Sequence, residues 1–245
     1  MKILNMLAET DIVSFLNAKQ IDHIDFGCSK GGSLDFAKKR LGGERGLGID
    51  IDLAKVAATH EAGFEAIQYD IAQLPNRKLV RFVIMSHFLE HLPQLIDVKN
   101  MIRKACQISK KFVYIQQPFF DADGYLLEKG LKLFWSDWRG HPNRMTSLEM
   151  FLTQRDLQSE GFKFSFSLYA HKPVEDSNDP CVHRLNAPCD LTYHLLGHDL
   201  DKVTAVQFQG NVFREIVTLI TLPGTDHEAV AKRLRYHKTL LHMGG

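Results

Sequence analysis

Cysteine is scarce. Four residues, at positions 28, 106, 181 and 189 of a 245-residue chain, are too few and too scattered for a disulfide framework. Their use fits a reducing compartment. Net charge is also nearly absent: +1 with histidines neutral, which argues against nucleic-acid binding through a bulk basic field. No uninterrupted apolar run approaches the roughly 18 residues that cross a bilayer, so no membrane span is expected. Internal repeats and low-complexity tracts are missing too. The N-terminal MKILNMLAETDIVSFL carries Glu9 and Asp11 inside its apolar pattern, which suits a helix rather than a signal peptide. A cytoplasmic globular protein is left, and 44% apolar with 24% charged residues is ordinary for one. The length suits a single domain over 1–245.

The most informative stretch is 21–52, IDHIDFGCSKGGSLDFAKKRLGGERGLGIDID. It reads as strand, glycine turn, helix, strand. Glycines allow a tight turn and close approach of backbone to a ligand, and the next helix presents unpaired N–H donors. A carboxylate about twenty residues on, at Asp50, can accept from ribose hydroxyls. The site is suited to a nucleoside.

Further along, 53–62 reads as a helix, 64–69 as a strand ending at Asp70, and 82–85 (FVIM) as a strand buried on both faces. Residues 94–108 carry a helical stripe and 111–116 a fifth strand. This alternation predicts an α/β fold with a parallel, doubly wound sheet and helices on both faces. The aromatic-rich 119–145 is expected as an irregular segment at the ligand-binding edge. Thr146 and Glu149 form a capping-box pattern for a helix ending near Gly161. Strands are expected over 162–170 and 212–222, separated by a 171–210 insertion, and 227–241 as a basic helix.

These segments together resemble the class I S-adenosylmethionine-dependent methyltransferases. DFGCSKGG is similar to the first motif of that family, with Asp25, Gly27 and Gly31 matching, Cys28 inside it and Ser29 where a glycine is usual. GIDID resembles its second strand, YDIAQLP its adenine-side segment and FVIMSHFLEHLP its fourth-strand motif. The resemblance implies a Rossmann-like sheet of seven strands ordered 3-2-1-4-5-7-6, strand 7 antiparallel. It also implies S-adenosyl-L-methionine as cofactor and S-adenosyl-L-homocysteine as product. Asp50 would then lie at the ribose, Asp70 and Ile71 at the adenine and His87 beside the reacting methyl group, with Ile51 and Ser86 also binding the cofactor. The alternative for Asp50 and Asp70 is that each only caps the next helix.

Methyl transfer from a sulfonium chiefly requires positioning, and an alcohol acceptor gains from a base near neutral pH. His87 and His91 are the candidate bases, LEHL being otherwise a packing segment. Tyr125, Trp135, Trp138, His141 and Arg144 are candidates for the acceptor side. No metal is expected: His171, Cys181, His183, Cys189, His194 and His198 match no regular zinc spacing. SHFL stands where nitrogen-methylating relatives carry an N/D-P-P-Y-like sequence. The expected reaction is therefore methylation of a small-molecule, sugar or lipid-precursor acceptor, at oxygen, with no nucleic-acid partner. The alternative is a non-catalytic binding protein that keeps the cofactor fold as a scaffold.

Overall fold

The structure, a computed structural model, describes residues 9–189, 205–234 and 236–244. Helix α1 (Glu9–Ala18) precedes β1 (His23–Phe26), α2 (Gly32–Phe36, continued by a π turn Ala37–Leu41) and β2 (Gly46–Asp50). Next come α3 (Leu53–Glu61), β3 (Glu65–Gln68), β4 (Val80–Ser86), α4 (Leu95–Ile108) and β5 (Ser109–Pro118). The chain continues with α5 (Asp123–Leu127), β6 (Leu131–Leu133), α6 (Ser147–Ser159), β7 (Ser165–Pro173) and β8 (Val182–Arg184). It ends with β9 (Phe213–Thr221), α7 (His227–Ala231) and β10 (Lys238–Met243).

Eight strands form one sheet in the order β3-β2-β1-β4-β5-β9-β7-β10. β3 through β5 run parallel, and β9 is antiparallel to both β5 and β7. The continuous apolar run of β4 follows from burial on both faces. Val83 and Met85 point into a layer with Ile12 of α1, Val98 and Ile102 of α4 and Leu157 of α6. Phe82 and Ile84 point the other way, onto Ala37, Leu41 and Val230. Phe82 stacks between His23 (4.8 Å) and Phe112 (4.5 Å) with no exposed surface. Phe82→Ala should therefore cost about 3–5 kcal/mol of stability. Denaturant unfolding checks this, and a loss under 1 kcal/mol would show that the site collapses around the gap.

The sheet differs from the seven strands expected: β10 adds an eighth, pairing antiparallel to β7. The basic helix expected over 227–241 stops at Ala231, because Tyr236 stacks on Tyr169 (4.2 Å) and the His237 amide donates to the Ala170 carbonyl, drawing the chain onto the sheet edge. Residues 119–145 are not wholly irregular either. They contain α5 and β6, and β6 pairs antiparallel with β8 from the 171–210 insertion, so the insertion is fastened across that segment. His194 and His198 lie outside the described residues. The capping box at α6 is present, with Thr146 Oγ1 accepting from the Glu149 amide (3.3 Å) and Glu149 Oε2 from the Thr146 amide (2.8 Å). No helix among the described residues is long and apolar enough to cross a membrane.

Candidate active site

The crevice lies at the carboxyl ends of β1, β2 and β4, where an open α/β sheet binds ligands. Gly27 (φ 74°) and Gly31 (φ 79°) turn the chain between β1 and α2. The Gly27 amide donates to the Ile49 carbonyl (2.8 Å), tying the turn to β2. Ser29, in the place of a third glycine, adopts the same left-handed backbone at φ 49°. Its amide lies 3.5 Å from Asp50 Oδ2, and Asp50 Oδ1 accepts from the Asp52 amide (3.0 Å). Asp52, rather than Asp50, caps α3, accepting from Ala54 N at 2.8 Å. Asp50 is thus held at the strand tip without being a cap. Ile51 beside it is 72% exposed.

Asp70 does cap the short 3-10 turn Ile71–Gln73, accepting from Ala72 N (2.9 Å), and stays exposed. Ile71 is buried in the core, so its side chain is engaged with Leu74 and its neighbours. Cys28 is likewise turned inward, against Val56 and Ala66, and accepts from Thr59 Oγ1 at 3.3 Å. Asp25 is fully buried, takes a hydrogen bond from Ser33 Oγ, and leaves Oδ1 unpartnered. Burial, aided by the nearby Asp50 charge and opposed by Ser33, pushes its carboxyl up to about 7.

Beyond the end of β4, a cavity of about 290 Å³ opens next to this crevice. Of the expected acceptor-side residues, Trp135, Trp138 and His141 line it, along with His87 and His91. Tyr125 packs on Phe208 and Lys129 instead, and Arg144 is exposed near Asp123, outside the cavity lining. Sequence reasoning missed Phe134, Lys172, Arg214 and Glu215 as lining residues, weighed Cys181 only for zinc, and assigned Glu90 no role. The signal for Glu215 was a carboxylate inside the apolar strand FREIVTLIT. A larger cavity, about 370 Å³, lies at the opposite, amino-terminal ends of β1 and β2, near Ile21, His23 and Gly46. Open α/β sheets do not place ligands there.

His87 sits between two carboxylates. Its Nδ1 is 3.3 Å from Glu90 Oε1, and its Nε2 is 3.5 Å from Glu215 Oε1. Burial would lower the imidazole, but Glu215 and Glu90 outweigh it and push it up to about 9. Burial would raise Glu215, yet His87 and Lys172 bring it down to about 2; the Lys172 Nζ contact is 2.8 Å. The two carboxylates thus favour the charged imidazolium, whereas a general base works from the neutral ring. As a cation His87 can donate a hydrogen bond that orients an acceptor oxygen without transferring the proton. His91 and His141 each bind a backbone carbonyl through Nδ1, Gly140 at 2.7 Å and Trp135 at 3.2 Å. Burial lowers the His141 pKa.

Backbone strain gathers at the same place. Among the described residues four non-glycines have positive φ, and three of them are Ser29, His87 (50°) and Lys172 (56°). Each left-handed residue costs about 1–2 kcal/mol, a cost that clusters where function requires the conformation.

No family model matches the sequence. No curated protein matches it either. Solved structures do. A SAM-dependent methyltransferase from Archaeoglobus fulgidus superposes with a TM-score of 0.55 at 18% identity, covering 87% of this chain and 94% of that one. This is the class I methyltransferase fold. A putative methyltransferase from Bacillus halodurans shares it at a TM-score of 0.51 and 16% identity, over 87% of this chain and 99% of that one. The methyltransferase domain of bacterial CtHen1 does so at 0.50 and 12%, over 86% and 95%. In this methyltransferase fold the glycine turn and Asp50 occupy the switch point between β1 and β4, where the strand order reverses.

Proposed function

We propose that the chain is an S-adenosyl-L-methionine-dependent methyltransferase that methylates an oxygen of a small-molecule, sugar or lipid-precursor acceptor. The observation that carries the reading is the junction at Ser86–Phe88. Phe88 lies on Gly27 of the nucleoside crevice, while His87 lines the adjoining cavity. A cofactor seated on the glycine turn would present its methyl group where the two spaces meet. Asp50 would take the ribose hydroxyls, Ile51 would cover the adenine, and Asp70 would reach its exocyclic amine. The acceptor oxygen would form the new O–C bond as the C–S bond breaks, its electron pair remaining on sulfur in S-adenosyl-L-homocysteine. The hydroxyl proton would leave to solvent past exposed His91 and Trp138. A volume of about 290 Å³ suits a small acceptor or the end group of a larger one. Four free cysteines fit a reducing, cytoplasmic setting.

Calorimetry with S-adenosyl-L-methionine tests the cofactor assignment directly. Binding is expected, and Asp50→Ala should weaken it by about 1–3 kcal/mol through lost ribose hydrogen bonds. Absence of heat at near-millimolar cofactor sinks the enzyme reading and leaves a binding scaffold. Unchanged affinity in the variant would remove Asp50 from the ribose.

A further inference from the structure

The methyl-transfer reading gives no role to the buried carboxylate Glu90 in the cavity wall. Glu90 is 1% exposed, and among the described residues neither of its carboxylate oxygens has a geometrically formed hydrogen bond. His87 Nδ1 forms an ion pair with Oε1 at 3.3 Å, and among the described residues nothing hydrogen-bonds Oε2. A buried carboxylate whose second oxygen is unpartnered is costly, and a further cation on that side would complete it. Two imidazoles stand beside it. The ligand atoms of Glu90, His91 and His141 all lie within 4.8 Å of one another. The His91 and His141 rings are 5.0 Å apart, both packed against Trp138.

The histidines are already oriented as metal ligands are. Each has Nδ1 fixed on a main-chain carbonyl, Gly140 for His91 and Trp135 for His141. That contact assigns the proton to Nδ1 and leaves the Nε2 lone pair bare, the outer-sphere arrangement that supports ligating histidines. An ion about 2.0–2.2 Å from each donor would draw the set together by roughly an ångström. His91 can supply that movement because it is exposed.

We propose that Glu90, His91 and His141 form a binding site for a first-row divalent transition-metal ion. Two imidazoles and one carboxylate suit zinc and its neighbours rather than magnesium or calcium, which take oxygen ligands. Three protein donors leave coordination positions open toward the cavity. An acceptor hydroxyl held there would be polarised and lose its proton more readily, with His87 and Lys172 flanking the oxygen. This second role rests on the methyltransferase reading; the metal site itself does not.

The test is calorimetric titration of Zn2+ into the full chain, tag-free and stripped with a chelator, with cofactor omitted. Co2+ gives a parallel readout through its visible absorption. One ion per chain is expected, and His91→Ala and Glu90→Gln should each weaken binding tenfold or more. His91 is exposed, so His91→Ala keeps the comparison sound if the Glu90 variant unfolds in a melting control. No saturable binding below about 100 µM Zn2+ overturns the site. Zinc binding that survives His91→Ala unchanged overturns it as well, by locating the ion elsewhere. Because cofactor is omitted, failure here leaves the cofactor measurement standing, and failure of cofactor binding leaves the zinc result standing.

Discussion

Gly27→Ala is expected to weaken S-adenosyl-L-methionine binding tenfold or more and to lower stability by about 2–4 kcal/mol. Two effects combine. The backbone at φ 74° is left-handed, which costs an alanine about 1–2 kcal/mol. The added Cβ would also fall inside the van der Waals envelope of the Phe88 ring. Phe88 cannot yield freely: it meets Phe26 edge-on at 6.4 Å, and its carbonyl accepts from the His91 amide (3.2 Å). The ring and the turn Leu89–His91 must therefore shift together, carrying the boundary between crevice and cavity with them. Gly63→Ala is the control. Its φ is 86°, yet a Cβ there meets nothing within 4 Å, so only the conformational cost of about 1–2 kcal/mol remains and affinity should not change. Equal losses of affinity in the two variants would show that Phe88 and the turn beneath it do not shape the cofactor site.

The contrast between these glycines explains what could be read from the chain. The crevice is local: Gly27, Ser29, Gly31 and Asp50 fall within one strand-turn-helix-strand unit, so their spacing alone indicates a shared site. The β1-to-β5 half of the sheet was legible for the same reason, since each strand is a short apolar run bracketed by a helix. The cavity was not. Its charged wall is assembled from Glu90 after β4, Lys172 on β7, and Arg214 and Glu215 on β9, residues that sequence distance separates and only antiparallel pairing of β7 with β9 brings together. β6 and β8 are three residues each, too short to show a period, and their pairing joins segments some fifty residues apart. The last strand misled for another reason. KTLLHM continues a basic helical pattern, and what overrides it is tertiary: an open edge at β7 and the Tyr169–Tyr236 stack. Ile71, expected at the adenine from its place after Asp70, is buried in the core on its 3-10 turn, a burial its sequence position did not indicate.

Asp25 carries the second large effect, with the opposite sign for stability. Asp25→Asn is expected to stabilise the free protein at pH 8 by up to about 4 kcal/mol, and to weaken cofactor binding. The carboxyl titrates near 3.8 when unfolded and near 7 when folded, because burial, together with the Asp50 charge, disfavours its anion more than Ser33 favours it. A raised native pKa means that its contribution is fully present below pH 3.8. It is then lost as pH rises toward 7, since the unfolded chain releases the proton first. Asparagine does not titrate, so the gap between variant and wild type should open from pH 4 to 7 and stay constant above. Unfolding free energies at pH 4.5, 6 and 8 measure this, and a gap independent of pH would refute it. Such a costly carboxylate, with Oδ1 unpartnered beneath the glycine turn, is explained if a cationic ligand uses it. A sulfonium or ammonium nearby would favour the anion and expel its proton on binding. Cofactor affinity should therefore tighten as pH rises through 7 in the wild type, and the Asp25→Asn variant should lose that dependence. A flat profile in the wild-type chain would separate Asp25 from the cofactor and leave the resemblance of DFGCSKGG to the first methyltransferase motif without its electrostatic counterpart.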